Sequence, residues 1–594
     1  MVYFTVPLSV LIDPLTFSYS EQSQDNCRKE GHEMNNKQWQ FTLIAMLVTL
    51  GMVISACATA EPAPDTASGE AAGATMDEDG ERVIRVGFRS NWAQGFNIFP
   101  YPTYKAQGDI EPYFYMPLLL HNRDFEAVPW LAREWELTEN CDSATFYLYE
   151  DAAWSDGTPL TSADVKYTFE MLSHPEVMNR NYGWVGEQEY VKGEADEIVG
   201  IVMVDDHTVR FDMQEGRNNC TPHHEEYGPR VGIVPKHIFE KFPLETLITG
   251  ENPEAMNPTV VSGPFRLGDL ERDVFFEAVA VDDWWGAKYF GEPKVDKIIA
   301  ITMEHEAQLP ALVAGDLDVT QYLQVSDIEG LEGNPDLKIL VDESLGMLGI
   351  QFNRRPGSLP DKIRYAMEYA TDRDAIVAAH TLGHGSKTYS WMANEGAYRA
   401  EDMVWREYDP EMAKQLIQEA IDAGEWDADR TIIFLDDAEK PIWNLWIDMM
   451  REVGLDVEMQ IVGLAFPDKL LAGEYDVSEG GGGTVRGYSL RACYYFHRPL
   501  GRNYENTGWY DDEFGTLCKE ARATLDDEVR TRNLARATKI WYDYGPWITF
   551  STNMRVWGTR SNICGVVPNT TTGLVHRGGA DYGLLDWYIC DDEG

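Results

Sequence analysis

Positive charge is scarce in this chain. Lys and Arg number 49 against 99 Asp and Glu, a formal charge of −50 over 594 residues. Such a surface repels phosphate backbones and anionic headgroups, which argues against nucleic acid as a partner. The acids read as a solvated surface that maintains solubility. Cysteine is sparse as well. Eight occur, none in a Cys-x-x-Cys pair, so zinc-ribbon and thioredoxin-like readings lack support. Gly-x-Ser-x-Gly and His-Glu-x-x-His are both missing, which weakens the case for an exported hydrolase, the rival class. His305-Glu306 lacks a second histidine four positions after the first. His223-His224-Glu225-Glu226 has ligand-type side chains, but neighbours diverge on a strand or a helix. An exposed polar loop is expected there, and no metal. No cofactor and no catalytic residue are assigned.

Long apolar runs are absent, with one exception. Phe41 to Cys57 reads FTLIAMLVTLGMVISAC, preceded by Lys37 and closed by small residues. That is the order of a secretory signal. It is short for a membrane span, which needs about 20 apolar residues. Its end, Ile54-Ser55-Ala56-Cys57, resembles the bacterial lipobox. The resemblance implies a diacylglycerol on Cys57, cleavage just before it, and a mature protein anchored outside the cell membrane. Residues 1–33 carry acids, Pro14 and Cys27, and do not suit such a signal, so translation is expected to start at Met34. Residues 57–81, rich in Ala, Gly, Pro, Thr and acids, read as a flexible tether. In an exported chain the six later cysteines can form disulfides. Proximity in sequence suggests Cys564 with Cys590 and Cys493 with Cys518.

The rest has the composition of a globular protein with room for two to four domains. VIRVGF (83–88) predicts an opening strand, and TFYLY (145–149) another. A polar turn, Trp154 to Pro159, precedes a helix. Thr161 and Asp164 have capping-box spacing, and Val165, Phe169 and Leu172 share one helical face. From about 360 to 480 helices and strands alternate. A helix is expected over Asp361–Ala370, with Thr371 capping the next. TIIFL (431–435) predicts a strand, Pro441 a helix start and Gly454 that helix's end. Strands are expected at 457–462 and 475–478, with a short helix at 467–472 between them. This alternation implies a mostly parallel sheet covered by helices. Ligands of such sheets bind beyond the carboxyl ends of strands. Gly480 to Gly483 follow one of those ends, and glycine permits close backbone approach. No Walker loop is present there, since no Gly-Lys-Ser/Thr follows.

Several elements in order resemble the family 5 extracellular solute-binding proteins of ABC importers. They are Trp130-Leu131-Ala132 through Trp135-Glu136, TFYLYEDAAWSDGTPLTSADVKYTFEML (145–172), Ser262-Gly263-Pro264-Phe265 and Asp283-Trp284-Trp285-Gly286. Leu312 to Asp318, Phe352-Asn353, Arg364-Tyr365-Ala366, Asp372-Arg373 and the helical region 509–545 continue the match. It covers about residues 82–560. The resemblance implies an α/β, two-lobed periplasmic-binding-protein-like fold of the type II, cluster C-like kind. Mixed sheets are flanked by helices, with a hinge between the lobes. Lobe I is expected at 82–339, lobe II at 340–548, and a C-terminal return to lobe I at 549–594. The implied role is that of a monomeric receptor. It encloses a small solute between its lobes, catalyses nothing, and delivers the solute to a membrane permease. The Trp154–Pro159 turn is read as structural: Trp154 packs, while Asp156 and Gly157 turn the chain.

Dipeptide receptors of this family place an aspartate after the glycine-rich strand end, paired with the peptide's amino group. Leu490 stands at or near that position, and no acid occurs between Gly480 and Arg498. Arg486, Arg491 and Arg498 are there instead. Arg486 or Arg491 can clamp an anionic group through paired N–H donors, with Arg486 the leading candidate. The 18 Trp and 29 Tyr equally suit sugar stacking, as in oligosaccharide receptors of the family. Trp92, Tyr115, Trp391, Tyr488 and Trp509 occupy segments expected to face the cleft. Core packing is the competing role for each. The solute class stays open among peptide, oligosaccharide and organic anion.

Overall fold

The structure, a computed structural model, describes residues 80–88, 113–121, 127–177, 182–220, 231–249, 251–271, 274–390, 400, 402–480, 506–567 and 583–590. All fall within one compact unit, Ala72–Gly594. Residues 57–79 of the tether, the signal region, Gly481 to Gly483 and the 223–226 cluster lie outside the described residues.

β1 (Val83–Phe88) opens the fold at the expected place. A four-stranded antiparallel sheet follows, built from β2 (Ala132–Leu137), β3 (Ser143–Leu148), β4 (Ile201–Asp205) and β5 (Thr208–Asp212) in the order β2-β3-β5-β4. Between β3 and β4 runs α1 (Ser162–Ser173). Its capping box forms. Thr161 Oγ1 accepts from the Ala163 amide at 3.3 Å, and the Asp164 carboxylate accepts from the Thr161 amide at 2.9 Å. Val165, Phe169 and Leu172 are buried on one face.

The chain then supplies β6 (Phe265–Glu271), β7 (Phe275–Ala280), β8 (Lys297–Thr302), α2 (His305–Ala314) and β9 (Val319–Leu323). The long strand β10 (Leu337–Phe352) follows, then α3 (Asp361–Ala370), α4 (Arg373–Thr381), α5 (Pro410–Asp422) and β11 (Ile432–Asp436). Then come α6 (Pro441–Glu452), β12 (Val457–Ile461), β13 (Val477–Gly480), α7 (Asp512–Arg522), α8 (Asp527–Tyr544) and β14 (Trp547–Arg560). Ten strands form one sheet in the order β12-β11-β13-β10-β14-β9-β1-β8-β7-β6. The expected β-α-β alternation appears as parallel pairing of β11 with β12 and with β13. β13 lies antiparallel to β10, and β10 antiparallel to β14, so the sheet is mixed rather than mostly parallel.

Two hydrophobic cores share that sheet. The first holds Ile84, Trp130, Phe146, Trp154 and Phe276, and takes in Trp557, Leu584 and Trp587 from the C-terminal end. The second holds Ile350, Met367, Trp443, Trp446, Val477, Ile548 and Phe550. β10 and β14 pass from one to the other. On β10, Leu340 packs against the first core and Leu348 belongs to the second. On β14, Phe550 belongs to the second and Trp557 to the first. Their register shifts between Glu343 and Met347, and again at Leu348/Gly349. Such irregularities bend and twist a strand. The expected boundaries 339/340 and 548/549 fall within these two strands. At Gly349 a Cβ would stand 2.3 Å from the Ile548 carbonyl oxygen, so the strands meet here only because the residue is glycine.

Several expectations need correction. Thr371 does not cap α4. Its hydroxyl donates to the Met367 carbonyl at 2.7 Å, and Asp372 accepts from the Ala375 amide instead. The strand expected at 475–478 runs from Val477 to Gly480. Asn353 and Arg430 explain the shift: Asn353 Nδ2 donates to the Tyr475 carbonyl, and the Asp476 carboxylate accepts from Arg430. Cys564 pairs with Cys590 as expected. Cys141 pairs with Cys220, a long-range bridge that proximity in sequence did not suggest. Cys518 is disulfide-bonded, and Cys493, its expected partner, lies outside the described residues.

Replacing Cys141 and Cys220 together by serine is expected to lower the unfolding free energy by about 4 kcal/mol, because the bridge constrains a long loop in the unfolded chain. The same exchange at Cys564 and Cys590, which are 26 positions apart rather than 79, costs less. Urea unfolding of the two double variants measures the order. Gly349→Val should destabilise by several kcal/mol, since backbone rather than a flexible side chain must yield.

Candidate functional site

Strand direction identifies one region of interest. β9 is antiparallel to β14, and its last residue, Leu323, pairs with Val556, nearer the crossing than Thr559. β1 and β8 run parallel to β9, so the first lobe turns the carboxyl ends of three strands toward the crossing. In the second lobe Val477 pairs with Phe352 and Gly480 with Gly349. The carboxyl ends of β13 and of its parallel neighbours β11 and β12 therefore also point toward the crossing. Both lobes present there the end of a sheet at which ligands bind. The lobes also touch beyond the sheet. The Cys220 amide donates to the Arg522 carbonyl at the end of α7 at 2.8 Å.

β11 ends at Asp436 and β13 at Glu479-Gly480. Asp436 is 1 % exposed. Its Oδ1 accepts from the Asp437 amide at 2.7 Å and from Lys440 Nζ at 3.0 Å. Lys440 also pairs with Asp437 at 3.3 Å and with Glu479. Trp443 Nε1 donates to Glu479 Oε2 at 3.3 Å, and Gln351 Nε2 donates to Ser478 Oγ at 2.9 Å and to the Glu479 carbonyl at 3.1 Å. Three carboxylates thus surround one ammonium at the end of the second lobe's strands. Asp436 Oδ2 is buried and has no hydrogen-bond partner among the described residues. Burial pushes the Asp436 carboxyl up, Lys440 pulls it down, and the Asp437 carboxyl raises it again. The neighbouring Asp436 carboxyl and Lys440 hold Asp437 down. Burial opposes the charge on Lys440, yet hydrogen bonds to Glu479 and Asp436 outweigh it and raise the ammonium.

Of the side chains singled out from the sequence, Trp92, Trp391, Arg486, Tyr488 and Arg491 lie outside the described residues, as does Cys57. Tyr115 and Trp509 require correction, because each is spent on packing within its own lobe. Tyr115 is fully buried, with its ring edge-on to Trp154 and Phe239, both at 6.4 Å. Trp509 packs edge-on against Phe514 at 5.2 Å in the small core between α7 and α8. The Asp436 cluster was not singled out, although its signal was visible. An acidic pair directly follows the apolar run 431–435, at the kind of strand end that drew attention to Gly480. Among the described residues no group of three or more His, Cys, Asp and Glu could hold a metal ion. Among them too, no helix is long and apolar enough to cross a membrane.

The signature residues are structural. Trp154 is buried, Thr158 donates its amide to Asp156 at 2.9 Å, and Asp156 pairs with His237 at 2.9 Å. A Cβ on Gly263 would stand 2.1 Å from the Tyr113 carbonyl oxygen. Trp284 and Trp285 both donate to the Ser262 carbonyl, at 2.8 and 2.9 Å. Arg364 is buried, bonds to Asp361 and the Gly545 carbonyl at 2.8 Å each, and lies over the Phe352 ring. These contacts fix the two lobes and leave the ligand unspecified.

Residues 126–497 match the model of the bacterial extracellular solute-binding proteins, family 5. The chain is 24% identical over 442 residues to the dipeptide-binding protein of Escherichia coli (strain K12), covering 71% of this chain and 80% of that protein. It is 22% identical over 565 residues to an oligopeptide-binding protein of Bacillus subtilis (strain 168), covering 91% and 99%. An ABC transporter substrate-binding protein of Listeria monocytogenes, solved by crystallography, shares the fold. Its TM-score is 0.70 at 19% identity, over 86% of this chain and 99% of that one. The chain therefore belongs to the bacterial extracellular solute-binding proteins of family 5, two-lobed receptors that work with ABC permeases.

Proposed function

We propose that this receptor captures a small organic solute, peptide-like or anionic, between its lobes at the crossing of β10 and β14, and releases it unchanged to a permease. The observation that carries the reading is the convergence of strand carboxyl ends from both lobes on that crossing. β10 and β14 are the natural hinge, because they join the cores and carry the register shifts. Arg486 is proposed as a clamp for an anionic group of the solute, with Arg491 beside it in the chain. Cys57 is proposed as the lipidated first residue of the mature protein, after translation from Met34. The chain is proposed to act as a monomer and to perform no chemistry on what it binds.

Protein purified from its host, then denatured, is expected to release a small solute identifiable by mass spectrometry. Adding that solute back should raise the melting temperature with concentration, as mass action requires. Chemical conversion of the solute by the protein would overturn the reading. Arg486→Ala is expected to weaken an anionic solute by about 10-fold or more, since a charge-assisted bond is lost; unchanged affinity removes the clamp. Mass spectrometry of the mature N-terminus should find a diacylglyceryl cysteine at position 57 and no peptide from residues 1–33.

A further inference from the structure

Asp436 is costly where it stands. A carboxylate 1 % exposed loses its hydration, and the protein compensates only one of its two oxygens. Oδ1 has two donors, the Asp437 amide and Lys440. Oδ2 has none among the described residues. Buried polar atoms of folded chains are satisfied as a rule. Asp436 Oδ2 is one of several exceptions among the described residues, and it stands at a strand end beside two further carboxylates. The neighbours do not relieve it. Lys440 is divided among Asp436, Asp437 and Glu479, which leaves the group with a charge deficit. Glu479 is held by Trp443 through Oε2, and its side chain is 35% exposed. A purely structural ion pair would need one carboxylate for this lysine, not three. The cluster also stands at the carboxyl ends of β11 and β13, level with the crossing of β10 and β14. That is where the fold puts its ligand.

We infer that Asp436 and Glu479 form a subsite for a cationic nitrogen of the solute, a primary ammonium or a guanidinium. Its N–H donors satisfy Asp436 Oδ2 and offset the excess carboxylate charge. The subsite occupies the carboxyl ends of β11 and β13 at Asp436 and Glu479, not the glycine-rich segment that follows β13, in which acids are missing. Lys440 competes with the solute for the same carboxylates. It keeps the empty site from holding bare negative charge, and it yields part of its contacts when the solute enters. A neutral oligosaccharide supplies no such cation, so the inference selects among the ligand classes left open by the sequence. It rests on the receptor reading above.

The test is calorimetric titration and thermal shift of the mature protein with trialanine, N-acetyl-trialanine, putrescine, maltotriose and citrate. At least one of the two amines, trialanine or putrescine, is expected to bind, and N-acetyl-trialanine to bind more weakly than trialanine by at least about 30-fold, the loss typical of an unpaired buried charge. Asp436→Asn keeps the acceptor for the Asp437 amide and should melt close to the parent, while losing amine affinity by at least about 30-fold. Glu479→Gln serves as a second variant in case the first does not fold. Lys440→Gln removes the competitor and should tighten amine binding, the reverse of what a merely structural lysine would give. Failure of both amines to bind at millimolar concentration would overturn the subsite. So would equal binding of the acetylated peptide, unchanged affinity in folded Asp436→Asn and Glu479→Gln, or weaker amine binding in a Lys440→Gln variant that melts normally. If maltotriose or citrate binds while both amines fail, the subsite falls and the receptor reading stands. If none of the five binds and no solute is released on denaturation, both fail.

Discussion

Two strands carry the architecture. β10 has 16 residues and β14 has 14, long enough for each to leave one hydrophobic core and enter another without a loop between. Because they pair with each other along the way, the lobes share one sheet and cannot separate. Because their pairing slips between Glu343 and Gly349, the shared sheet is least regular midway between the cores. A sheet with two well-packed halves and an irregular middle bends there first. The direction of every neighbouring strand follows. β9, β1 and β8 end toward the crossing from one side, and β13, β11 and β12 from the other. The proposed binding region follows from this topology, whichever side chains line it.

This division explains why the residues that identify the family say little about the solute. Gly263 is glycine because the Tyr113 backbone leaves no room. Trp284 and Trp285 share one carbonyl acceptor. Arg373 is buried and donates to the Thr388 and Thr549 carbonyls, tying α4 to β14. Each of these contacts holds a lobe in shape. The strand ends carry instead a group of charges around Asp436, one of whose buried carboxylate oxygens has no partner among the described residues.

Much of the fold was legible because local rules and tertiary packing agree in it. The capping box at Thr161, the strand at Val83, the helix from Asp361 to Ala370 and Pro441 at the start of α6 all obey short-range physics. The misreadings have a common cause in contacts distant along the chain. Cys141 meets Cys220 only because β5 returns alongside β3. Tyr115 and Trp509 look like cleft aromatics until Trp154, Phe239 and Phe514 close around them. The site was half visible. The rule that ligands meet strand ends was applied to the end at Gly480. The neighbouring end at Asp436 becomes its partner only once the register sets Leu435 beside Ser478.

The distance between the two lobes, with and without solute, tests the central claim most directly. Exposed positions suit a spin label on each lobe, Val204 on β4 and Leu464 after β12. Pulsed dipolar spectroscopy should show a broad or longer separation in the solute-free protein and a shorter, narrower one once solute is bound. An identical distance distribution in both states, with the solute demonstrably bound, would contradict a receptor that closes about the β10–β14 crossing.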